Sequence, residues 1–123
     1  MQFSGLELSA IVKIAVAVAA SDGNVAEQEK TAISLELLKF GLDEKAASTL
    51  LTGAQAIEFK DALTIISVMD STQKKYVAAF LAVIIAADGE ILDAEVRVWS
   101  LVSALCGLPN MTIGEGVQFW TKN

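Results

Sequence analysis

Two short acidic turns carry the residues of this sequence best suited to chemistry. Each reads Asp-Gly-x-(Val/Ile)-x-x-x-Glu: Asp22, Gly23, Val25 and Glu29 in one, Asp88, Gly89, Ile91 and Glu95 in the other. An Asp, a sharp Gly turn, an aliphatic residue and a closing Glu at this spacing form the back half of a calcium-binding helix-loop-helix. The front half fails. Its first two ligand positions are Val18 and Ala20 in one turn, and Ile84 and Ala86 in the other. None of these side chains can coordinate a hard cation, so neither copy is a complete calcium loop. What remains is a carboxylate pair in each turn. Two related turns near one axis could pool Asp22, Glu29, Asp88 and Glu95 around a divalent cation, with Glu27, Glu90 and Asp93 nearby.

The same residues have a structural use. Gly permits the left-handed backbone that a tight helix exit needs. An Asp can satisfy free amides in the turn. Glu29 and Glu95 fall in the first turn of their helices, where a carboxylate favours the positive end of the dipole. Both readings, cation binding and turn capping, stand on the residues alone.

Other chemistry is sparse. The chain has no His, which removes the commonest general base and the commonest zinc ligand. Cys106 is the single cysteine and reads as a small buried hydrophobe in an apolar helix. There is no nucleophile with its base, no glycine-rich phosphate loop and no cofactor fingerprint. No catalytic residue is assigned, and the chain is expected not to be an enzyme. Phe119 and Trp120, near the C-terminal end, are candidate interaction residues, since exposed aromatics anchor interfaces; core packing is their other use.

The elements that must position these residues are helices. Apolar residues recur at helical spacing, and Ala, Leu, Glu and Lys dominate. Ser4 with Glu7 forms a capping box opening a first helix to about Ala20. A second runs from about Ala26 to Phe40, with Gly41 as its stop. Asp43 caps a third, ending at Gly53, and a fourth runs from about Glu58 to Met69. Asp70 with Gln73 opens a fifth, to about Ala87. A sixth, about Asp93 to Cys106, stops at Gly107 before Pro109. Thr112 with Glu115 opens a short seventh helix. The segments Ala10 to Ala20 and Tyr76 to Ala87 are apolar on nearly every side, which marks buried helices.

Val18 to Leu42 matches Ile84 to Leu108 at a constant offset of 66 without a gap. Ala20 pairs with Ala86, Asp22-Gly23 with Asp88-Gly89, Glu29 with Glu95, Ser34-Leu35 with Ser100-Leu101, and Gly41-Leu42 with Gly107-Leu108. The expected architecture is therefore one all-α domain over residues 1–123, a compact bundle of about seven helices. It has two pseudo-symmetric helix-turn-helix halves, with the apolar helices in contact at its centre.

Composition agrees. The chain is 54% hydrophobic and 20% charged, too apolar for disorder. Its net charge of −6 argues against nucleic acid, which needs clustered Lys and Arg. Ala15 to Ser21 has the look of a signal-peptide cleavage region, but Lys13 interrupts the apolar stretch and no positive charge precedes it. Neither apolar stretch reaches the ~20 residues of a membrane span. A cytoplasmic protein without direct membrane insertion is expected.

The stretches AVAASDGNVAEQE and AVIIAADGEILDAEVRVWSLVSALCGLP resemble the tellurite-resistance TerB family, which includes a domain of a membrane-anchored DnaJ-like co-chaperone. The resemblance spans nearly the whole chain. It implies an all-helical fold of seven helices, no enzymatic activity, and acidic residues suspected of chelating metal. It also implies a protein partner in a membrane-associated stress complex. One departure is Ala26 and Leu92, which stand where family members carry a Ser or Thr cap. That shifts capping toward Asp22 and Asp88.

Overall fold

The computed structural model describes residues 3–20, 33, 36–38, 42–87 and 93–122. Among them there are six helices and no strand: α1 (Gly5–Ala19), α2 (Glu44–Ala54), α3 (Phe59–Ser67), α4 (Ser71–Ala86), α5 (Asp93–Cys106) and α6 (Ile113–Lys122). The all-helical class follows the sequence. The count is one below the seven expected, because the expected helix over 26–40 lies outside the described residues apart from Ile33 and Glu36–Leu38. Ile33 and Leu37 are fully buried.

Local capping chemistry explains where the helices begin. At α1 the Ser4 hydroxyl accepts from the Glu7 amide at 3.1 Å, and the Glu7 carboxylate accepts from the Ser4 amide at 2.8 Å. Asp70 and Gln73 repeat this reciprocal pair at α4, as do Thr112 and Glu115 at α6. Asp43 accepts from the Ala46 amide at 2.8 Å to open α2. Each bond satisfies a donor that the first helical turn would otherwise leave bare. At the end of α5, Gly107 takes φ +67°. The Leu108 amide then reaches back to the Ser103 carbonyl at 2.9 Å. This is the left-handed stop expected from the sequence, and it turns Leu108 into the core, where it is 9% exposed.

Helices α1 and α4 are apolar over most of their length and are the two most deeply buried of the described helices. Eight side chains are buried in each, including Ile11, Ile14 and Val18 of α1 and Phe80, Leu81 and Ile84 of α4. Burial of a side chain of this size stabilises the fold by about 1.5–3 kcal/mol. The two helices touch each other, as their composition predicts. Helix α1 also packs on α2, α3 and α5, and among the described helices the most extensive contact is that of α4 with α6.

That last contact depends on small residues. A Cβ placed on Gly116 of α6 would stand 2.6 Å from the Ala82 Cβ and 3.5 Å from the Ala79 Cα of α4. The missing side chain allows the two helices to approach this closely. Helix α3 joins the two parts of the chain. It buries Ala62 and Ile66 and packs on α1 and α5.

Candidate functional site

Glu95 is the one member of the proposed carboxylate set inside the described residues; Asp22, Glu29 and Asp88 lie outside them, as do Gly23 and Gly89. Glu95 occupies the first turn of α5 and is only 1% exposed. Its position follows from helical spacing. Glu95, Trp99, Val102 and Cys106 recur every three to four residues, and all four are buried. The stripe that seats α5 on the core therefore begins with a carboxylate. An ionised carboxylate removed from water needs compensation, by hydrogen bonds or by a positive charge. The first turn of a helix supplies part of it, through free amides and the dipole. Asp93, two residues earlier, is exposed.

In the sequence Glu95 reads as a cation ligand or as a helix-end acid, and neither reading places it in the core. Once α5 is seated on the core, its apolar stripe continued one turn toward its start arrives at position 95. Among the described residues, no group of three or more His, Cys, Asp or Glu side chains comes together in a way that could hold a metal ion.

Phe119 and Trp120 were expected as interaction residues, and the structure separates them. Trp120 is 3% exposed, so it belongs to the core rather than to an open interface. Its ring lies 5.4 Å from that of Phe80 and 6.4 Å from that of Tyr76, and its indole N–H donates to the Glu36 carboxylate. The reason is register: Trp120 falls one turn after Gly116, on the face of α6 that closes on α4. Phe119 lies beside that face and is half-buried. It meets Tyr76 edge-on at 5.1 Å, and the Lys75 ammonium stands 4.7 Å from its ring centre.

Cys106 is 1% exposed, as its reading as a small hydrophobe requires. Its thiol lies 3.5 Å from the Leu63 carbonyl, to which it donates. Burial pushes its pKa up from the ordinary value, and the Lys74 ammonium opposes that shift. A thiol held in this way stays protonated and unreactive near neutral pH. No described helix is long and apolar enough to cross a membrane.

The chain is also similar to known proteins. A protein of unknown function from Porphyromonas gingivalis W83, solved by crystallography, superposes with a TM-score of 0.90 at 41% sequence identity. The match covers 100% of this chain and 92% of that one. No curated protein matches. The family model described as tellurite resistance protein TerB matches residues 7–114, from the first turn of α1 into α6, and the chain belongs to the TerB family.

Proposed function

We propose that this chain is a non-enzymatic TerB-family domain that binds a divalent cation through its acidic Asp-Gly turns, in a stress setting of the tellurite-resistance type; tellurite resistance is what the family description names. Asp22, Glu29, Asp88 and Glu95 are the ligands in this reading. The observation that carries it is the burial of Glu95: a carboxylate at 1% exposure, closing one of two matching acidic turns. Carboxylate oxygens are the ligands a hard divalent cation takes, and a cation beside Glu95 would offset part of the cost of burying its charge. The protein acts in the cytoplasm in this reading, through a protein partner in a membrane-associated stress complex.

A second reading is an interaction module without metal, in which the acidic turns only cap helices. Phe119 favours it, since its ring keeps part of its surface open beside Lys75.

Melting curves separate the two. Wild type and the double variant Asp22→Asn/Asp88→Asn are heated with and without millimolar calcium, magnesium, manganese or zinc. Cation binding raises the wild-type melting temperature. The double variant loses that rise, and its metal-free form is at least as stable as wild type because charge repulsion is relieved. Under the capping reading no cation shifts the wild type. The double variant then costs a few tenths to about 1 kcal/mol, because charged acceptors near helix starts are lost. Wild-type curves that stay unmoved in all four cations reject the cation reading.

A further inference from the structure

Helices α4 and α6 leave an open groove of about 910 Å³ between the start of one and the exposed side of the other. It is lined by Lys75 and Tyr76 of α4 and by Gln118, Phe119 and Lys122 of α6. Both lysines are exposed, in a chain whose net charge is −6. Among the described residues that line the groove one is an acid, Glu115, which accepts from the Thr112 amide at 2.8 Å as part of a capping box. The groove thus offers two exposed lysines and two aromatic rings, with Lys75 over the ring of Phe119.

The other half of the chain provides a control. A smaller groove of about 490 Å³ lies between α1 and α2. Gly5, Asp43, Lys45 and Thr49 line it, and each lies 66 residues before a residue of the larger groove: Ser71, Pro109, Met111 and Glu115. At the positions 66 before Lys75, Tyr76, Phe119 and Lys122 the chain has Ser9, Ala10, Gly53 and Ala56. A corresponding helix pair is therefore built without those four side chains; in the larger groove the two rings also pack against the core, whereas both lysines stay exposed.

We propose that the α4–α6 groove binds an acidic linear segment of a partner protein. Carboxylates of the segment pair with Lys75 and Lys122, and an apolar side chain lies against Tyr76 and Phe119. The exposed Gln118 amide is placed to bond the segment's backbone. A peptide fits better than a small metabolite, because small-molecule sites enclose most of their ligand and this groove is open. Nucleic acid is disfavoured because it needs a longer run of clustered Lys and Arg than the two lysines of this groove. Glu95, the one described member of the carboxylate set, does not line the groove, and the proposal does not invoke the cation reading.

The test is selection from a random peptide library against the full chain, followed by binding of the selected peptides by fluorescence anisotropy. Wild type is expected to enrich sequences with Asp or Glu beside an apolar residue. Their affinity should fall about tenfold or more in Lys75→Glu/Lys122→Glu, less in the milder Lys75→Gln/Lys122→Gln, and also with added salt. Lys45→Glu, in the other groove, should change nothing, and melting curves check that every variant is folded. A selection that returns no peptides, or none enriched in acids, overturns the proposal. So does binding that survives both double variants.

Discussion

Gln73 Nε2 donates to Glu7 Oε2 across 3.4 Å, and the two residues hold the same position in two capping boxes 66 residues apart. Glu7 also accepts from the Ser4 amide, and Gln73 from the Asp70 amide. The starts of the two buried helices are therefore tied to each other by the side chains that start them. The separation equals the offset at which the acidic turns match in the sequence.

This link predicts coupling. Ser4→Ala and Asp70→Ala should each cost about 1 kcal/mol through loss of a cap. In a double-mutant cycle, Glu7→Ala and Gln73→Ala should show an interaction of about 0.5 kcal/mol or more, beyond their separate effects. Urea unfolding of the four proteins measures it. Strict additivity would mean that the two caps act independently.

Gly116→Ala should destabilise by about 1–3 kcal/mol, because its Cβ would meet the Ala82 Cβ at 2.6 Å. Helix propensity alone predicts the opposite sign, since Ala is about 1 kcal/mol better than Gly in a helix. Gly53→Ala, with nothing among the described residues within 4 Å of the new Cβ, should be neutral or stabilising. Thermal melts of both variants decide between close packing and propensity at these positions.

The two tryptophans should respond differently to Phe. Trp120→Phe loses a hydrogen bond to the Glu36 carboxylate, a bond to a charged group worth about 1.5–3 kcal/mol. The Trp99 Nε1 is buried and has no hydrogen-bond partner among the described residues. Trp99→Phe removes an unsatisfied donor as well as ring volume, so its cost should be the smaller of the two. Equal losses in denaturant unfolding would remove the role assigned to the Glu36 bond.

Cys106 should make stability fall in alkali. Burial raises its folded pKa above the ordinary 9.0, so the native thiol keeps its proton where the unfolded one loses it. The native state then binds more protons, and unfolding free energy decreases with rising pH in that window. The contribution is intact below pH 9.0 and is lost as pH rises through the folded value. Unfolding curves of wild type and Cys106→Ala across this range should converge as pH increases. A constant gap between them would show that the thiol does not titrate differently on folding.

Much of the architecture depends on neighbours within one helical turn, and such features are legible in a sequence. Ser4 with Glu7, Asp70 with Gln73 and Thr112 with Glu115 are each three residues apart, and each pair bonds as its spacing predicts. Gly107 ends α5 because its backbone is free to take positive φ. The all-round apolar character of α1 and α4 likewise announces burial before any partner is known. Three other features needed the tertiary structure. Trp120 enters the core because Gly116, one turn earlier, lets α6 close on Ala79 and Ala82 of α4, and that approach joins residues more than thirty positions apart. Glu95 is buried because α5 seats the whole stripe from 95 to 106, whereas a carboxylate in a first helical turn reads as exposed until that seat is known. The pairing of Lys75 with Phe119 arises only where α4 and α6 lie side by side. Capping is decided by short-range hydrogen bonds, while the depth of a side chain and the neighbours of a ring are decided by which helix faces meet.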